Sequence, residues 1–161
     1  MDAKEAGRLA EKYAPAVYRL AYAHGGNAAD AEDVMQDVFL RLLTKAPVFR
    51  DDDHAKAWLL RVAVNRARDL LRAAGRQNVP LEMAEDVSAP ERPAGETLQA
   101  VLALPPKLRL AVHLFYYEEL PVKEIAAALG ISQGAVKARL SRARKQLRAS
   151  LTEGGEERVS G

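Results

Sequence analysis

No cysteine occurs among the 161 residues. That excludes disulfides, thiolate metal sites and a cysteine nucleophile. Aromatic residues make up only 6%, so few rings are available for stacking of any kind. No apolar run approaches the roughly 18 residues of a membrane span. None near the N-terminus resembles a signal peptide. A cytoplasmic protein without membrane insertion is expected. The histidines, His24, His54 and His113, lie far apart in sequence and lack ligand spacing. The run Asp51-Asp52-Asp53-His54 lacks the alternating spacing of a calcium loop. No metal, cofactor or catalytic residue is assigned, and an enzyme is not expected.

Hydrophobic residues account for 48% and charged ones for 29%. Ala, Leu, Arg and Glu dominate, apolar residues recur at three and four, and β-branched runs are scarce. The fold class is all-α. Net charge is only +2, but it is uneven: residues 101–150 hold nine basic and three acidic groups, residues 76–100 two and five. Pro80, Pro90 and Pro93 fall in the acidic stretch with Glu82, Glu85, Asp86 and Glu91. This predicts two small helical domains, 1–75 and 96–151, joined by a flexible linker over 76–95.

In the first domain Leu9, Tyr13, Val17 and Leu20 form one helical stripe. Pro15 predicts a kink or break near Ala14. Asn27, with Asp30 three residues on, caps a helix running to about Thr44. Asp53 is expected to cap a third helix, from His54 to about Ala73. In the second domain a helix spans about 96–104. Pro105-Pro106 open another to about Tyr117, with Tyr116 and Tyr117 dividing between core and surface. The rest forms a helix-turn-helix. Val122 to Leu129 is one helix, Gly130 supplies the left-handed turn, and Ser132 caps a helix from Gln133 to about Leu151. Thr152 to Gly161 reads as a frayed tail.

Val136, Leu140, Ala143 and Leu147 set the inner face of that last helix. Its other sides carry Gln133, Lys137, Ala138, Arg139, Ser141, Arg142, Arg144, Lys145 and Arg148, with no acid among them. A purely basic face repels itself and gains a use near polyanions. With the turn signature it points to the DNA major groove.

Two other faces are unusual. Opposite the buried side of the helix 28–44 stand Asp33, Gln36, Asp37 and Leu40. This is either one stray surface leucine or a docking face with an apolar centre and acidic rim. Opposite the buried side of the helix 54–73 stand Trp58, Arg61, Asn65, Arg68 and Arg72. Trp58 either turns into the core edge beside Val62 or stacks an unpaired base near the arginines.

Together AEDVMQDVFLRLL (31–43), FRDDDHAKAWLLRVAVNRARDLLR (49–72) and LPPKLRLAVHLFYYEELPVKEIAAALGISQGAVKARLSRARKQL (104–147) closely resemble the extracytoplasmic-function sigma factors, in family order and spacing. These are the smallest sigma-70 members of bacterial RNA polymerase. The resemblance implies that Asp33, Gln36, Asp37 and Leu40 dock on the clamp helices of the largest polymerase subunit. It implies that the loop 49–57, including Phe49 and Arg50, holds a flipped base of the minus-ten element. Trp58, Arg61, Asn65, Arg68 and Arg72 belong to the same strand-binding face. It places Gln133, Lys137, Ala138, Arg139, Ser141, Arg142, Arg144 and Lys145 at the minus-thirty-five element. Core polymerase, promoter DNA and an anti-sigma factor are the implied partners.

Here Gly134-Ala135-Val136-Lys137-Ala138-Arg139 stands where the family often has Gly-Thr-Val-Lys-Ser-Arg, so two hydroxyls are lost. Asp51 and Asp52 are left over; repelling phosphates, to enforce base insertion, is one role open to them. The net −3 of residues 76–100, most of it on the linker, suits a basic channel. The alternatives are a helix-turn-helix regulator that binds DNA without polymerase and an adaptor that sequesters a partner.

Overall fold

The computed structural model describes residues 2–25, 27–76 and 96–154. Every regular element among them is helical. The first body comprises α1 (Ala3–Gly25), α2 (Ala28–Lys45) and α3 (Asp52–Arg76), each packed on the other two. The predicted stripe of α1 packs against apolar faces of the other two helices. Leu9, Val17 and Leu20 of α1 meet Val34, Val38 and Leu42 of α2 and Leu59, Leu60, Ala63 and Val64 of α3, all buried. Burying each large aliphatic stabilises by about 1.5–3 kcal/mol.

Pro15 does not break α1, which runs continuously past it. Proline removes the bond to the carbonyl four residues back. Both Pro15 and Glu11 are exposed, so water can take that carbonyl. The adjoining Ala16 and Val17 are buried and anchor the helix there. The Asn27 cap is present: its side chain accepts the Asp30 N–H at 2.7 Å.

The second body begins with α4 (Glu96–Leu102) and α5 (Pro106–Val112). A single π-helical turn, His113–Tyr117, continues α5. Then come α6 (Val122–Leu129) and α7 (Gln133–Gly154). Gly130 sits at φ 72°, in the left-handed region where a Cβ is strained. Ser132 Oγ accepts the Ala135 N–H at 3.0 Å, capping α7. Val136, Leu140 and Ala143 are buried against the rest of this body.

Several boundaries move outward. The third helix starts at Asp52 and reaches Arg76, and the last continues to Gly154. The linker prediction, apart from Arg76, and residues 155–161 of the predicted tail lie outside the described residues. The two bodies touch: α3 packs against α6, and α1 against α5 and the π turn.

Candidate nucleic-acid and polymerase interfaces

Because α7 buries Val136, Leu140 and Ala143, its remaining sides face outward. Gln133, Lys137, Ala138, Ser141, Arg142, Arg144, Lys145 and Arg148 are exposed, and Arg139 is half-buried. Arg144 has a fixed neighbour. Its Nε donates to Tyr116 Oη at 2.7 Å, and its guanidinium carbon lies 5.6 Å from that ring's centroid. Tyr116 and Tyr117 do not divide between core and surface; both are exposed. The π turn stacks Tyr117 on His113, with centroids 5.4 Å apart, and sets Tyr116 edge-on to Phe115.

The face of α3 behaves differently along its length. Phe49 packs edge-on to His54 at 5.3 Å and tilts against Trp58 at 5.7 Å. Trp58 is half-buried at the edge of the core. Arg50, Arg61, Asn65 and Arg72 are exposed, and Arg72 pairs with Asp69. Arg68 is half-buried and donates to the Leu129 carbonyl, at the end of α6, at 3.2 Å. Burial, followed by the charges of Arg139 and Arg72, pulls its pKa below the ordinary arginine value.

The acidic run resolves into separate duties. Asp51, rather than Asp53, caps α3: its Oδ1 accepts the His54 N–H at 2.8 Å. Three consecutive aspartates offered three possible caps, and the helix starts at the earliest register. Asp52 binds Arg8 at 2.9 Å and Lys12 at 2.8 Å, and its carbonyl accepts from Tyr13 Oη. Hydrogen bonds from Arg8 and then Lys12 hold its carboxyl far below the usual carboxylate range. A structural role thus accounts for both residues that the sequence reading left over.

On α2, Leu40 is 59% exposed and Leu43 53%. Gln36 is exposed beside them, while Asp33 pairs with Arg66 at 3.1 Å and Asp37 with Arg41 at 3.2 Å. The apolar patch therefore extends one turn beyond Leu40, with a rim whose acids are partly neutralised.

Sequence reasoning missed the junction between the bodies. Glu118 is fully buried. Its carboxylate accepts from Arg19 Nε and Nη2 at 3.1 and 2.9 Å, and lies 2.8 Å from His113 Nε2. An ionised carboxylate only accepts, so that histidine nitrogen carries the hydrogen. Burial pushes the Glu118 pKa up, but the bonds from His113 and Arg19 outweigh it and the net direction is down. Lys56 Nζ donates to the Glu118 carbonyl at 2.7 Å. Buried Arg109 donates to the Leu102 carbonyl at 2.9 Å and the His24 carbonyl at 3.3 Å.

A three-helix body followed by a helix-turn-helix with an acid-free basic face defines a DNA-reading transcription factor. Residues 9–77 match the family Sigma-70 region 2, and residues 94–147 match Sigma-70, region 4. The extracytoplasmic-function (ECF) RNA polymerase sigma factor SigE of Mycolicibacterium smegmatis is 36% identical over 92% of this chain and 62% of its own length. SigL of Mycobacterium tuberculosis, another such factor, is 33% identical over 91% of this chain and 89% of its own. CnrH, solved with the cytosolic domain of CnrY, aligns at TM-score 0.68 and 28% identity over 94% of this chain and 90% of that one. RpoE of Bartonella quintana shares the fold at TM-score 0.69 and 22% identity, over 92% of this chain and 95% of its own. The chain belongs to the sigma-70 family, in its extracytoplasmic-function branch. No described helix is long and apolar enough to cross a membrane.

Proposed function

We propose that this chain directs core RNA polymerase to specific promoters, with each body making a different contact. The pairing that carries the reading is an exposed leucine patch on α2 and a reading helix, α7, that holds no acid from Gln133 to Arg148, on one chain. Leu40, Gln36, Asp33 and Asp37 dock on the clamp helices of the largest subunit, where a central apolar residue within a polar rim suits a protein partner. Phe49, Arg50 and Trp58 hold an unpaired base, Asn65 reads a base edge, and Arg61, Arg68 and Arg72 follow the strand of the minus-ten element. Lys137 and Arg142 reach base edges in the groove of the minus-thirty-five element, with Gln133, Ala138 and Ser141 beside them. Arg139, Arg144 and Lys145 hold phosphates. Tyr116 braces Arg144 for that task.

Binding of an anti-sigma factor is part of the same proposal. RpoE of Bartonella quintana was solved with the anti-sigma factor NepR, and CnrH with part of CnrY. Both likenesses extend over more than nine-tenths of this chain.

Run-off transcription with core polymerase on a library of promoter sequences tests the proposal. The wild-type chain selects a consistent subset of start sites. Leu40→Asp abolishes association with core polymerase without unfolding the chain, because Leu40 is exposed. Lys137→Ala with Arg142→Ala retains association and loses promoter choice. A chain that binds a two-fold DNA site as a dimer, without polymerase, would instead be the helix-turn-helix regulator. One that binds neither DNA nor polymerase would be an adaptor.

A further inference from the structure

Glu118 is the most thoroughly buried charged residue described, at 0% exposure, and neither the docking face nor the reading faces use it. It stands where the two bodies meet. Arg19 reaches its carboxylate from α1, and Lys56 reaches its carbonyl from α3. On the same junction Arg68 of α3 bonds the Leu129 carbonyl, and Arg109 of α5 bonds the His24 carbonyl at the end of α1. Among the described residues, every hydrogen bond between the two bodies is donated by a cation. Each cation meets either a carboxylate or a backbone carbonyl.

We propose that Glu118 anchors an intramolecular ionic clasp that holds the two bodies closed, with part of the α3 reading face turned against the helix-turn-helix. The geometry gives closure a cost to DNA binding. Arg68 belongs to the strand-binding set, and its guanidinium is occupied by the last carbonyl of α6. Arg139 of the reading helix lies near enough for its charge to act on Arg68. The minus-ten and minus-thirty-five elements stand about 25 base pairs apart, about 85 Å of duplex. Faces that abut within one chain cannot grip both, so the clasp opens before both are read.

Charge is the right material for such a clasp. Opening it returns ions to water, which solvates them well, instead of exposing a hydrocarbon core. A polyanion competes for the same cations, so DNA itself favours the open form. Only the statement about what the freed faces bind depends on the proposed function. The closure does not.

The absence of cysteine makes the test direct. Glu11→Cys on α1 and Gln146→Cys on α7, both exposed positions, carry a donor and an acceptor dye on the full chain. Energy transfer reports closure in the free protein. Arg19→Glu sets a like charge against Glu118 and raises the open-to-closed ratio about tenfold; Arg19→Ala raises it less and Arg19→Lys least. Lys56→Ala also lowers transfer, without stripping the buried carboxylate of a partner. Arg8→Ala, whose ion pairs lie within the first body, leaves transfer unchanged. Helix content by circular dichroism identifies any variant that merely unfolds. Unchanged transfer in both Arg19→Glu and Lys56→Ala, with helix content intact, overturns the clasp. Core polymerase added to the wild type lowers transfer. Failure to bind polymerase at all would sink the proposed function and leave the clasp standing.

Discussion

The two bodies solve the same problem with different materials. In the first, three long helices bury aliphatic stripes, and the ion pairs of Arg8, Lys12 and Arg66 stay near the surface. In the second, Arg109, His113 and Glu118 are themselves buried. Helix length explains the contrast. Every helix leaves four carbonyls unbonded at its C-terminal end, so a body of short helices has many such ends for its size. Arg109 serves the carbonyls of Leu102 and Leu104 just at and after α4, and of His24 at the end of α1. Arg68 serves Leu129 at the end of α6. A cation at a helix C-terminus also complements the dipole there. The second body therefore adds buried charge to an apolar core of its own, where the first keeps its ion pairs near the surface.

Three measurements sharpen or break that contrast. The largest effect belongs to Arg109→Met, which keeps the apolar stem and removes the donor from three carbonyls. It lowers stability in denaturant by about 3 kcal/mol. A loss below 1 kcal/mol, within the range of a surface pair, would mean that buried charge adds no order.

Next comes acidification. Burial, then the charges of Arg109, Arg68 and His113, lower the His24 pKa from 6.5 to about 4. His24 is therefore neutral when folded, and the unfolded chain binds the extra proton. The stability it contributes is complete above pH 6.5 and is lost as pH falls towards 4. Between pH 7 and pH 5 this removes about 2 kcal/mol. His24→Leu flattens that part of the profile. Parallel profiles for the two chains would place the acid sensitivity elsewhere.

The smallest effect is at Gly130. A Cβ there meets nothing within 4 Å, so only the φ of 72° resists it. Gly130→Ala costs about 1–2 kcal/mol from backbone strain alone. A larger loss would show that the turn is packed more tightly than its neighbours indicate.

Much of this architecture is legible in the sequence. Stripes at three and four mark each helix of the first body, because burial on one side dictates that spacing. The turn at Gly130 and the cap at Ser132 were equally plain, since each depends on residues within a few positions. The exposure of Leu40 followed from the same arithmetic of faces. Errors came where local rules admit several outcomes. Asp51, Asp52 and Asp53 are chemically interchangeable as caps, and only Arg8 and Lys12, some forty positions away, assign Asp52 to another task. Pro15 leaves α1 unbroken, because the cost of a helical proline depends on whether solvent can reach the freed carbonyl. The bond between Arg19 and Glu118 spans 99 positions, and no periodicity or spacing encodes it. A glutamate pair between two tyrosines and a leucine looks like ordinary surface.

The π turn at His113–Tyr117 has a consequence for everything after it. An α-helix advances about 100° per residue, and one residue more in a turn acts as a phase offset on the chain that follows. Here the wider loop is closed by the Glu118 N–H on the His113 carbonyl at 3.0 Å. That closure aims the Glu118 side chain inward, while Glu119 takes a φ of 60° to redirect the backbone. Like the spare tooth of a gear, the additional residue sets the meshing of the two bodies. Deleting one residue from it would restore a regular helix and swing the carboxylate about a quarter-turn away from Arg19.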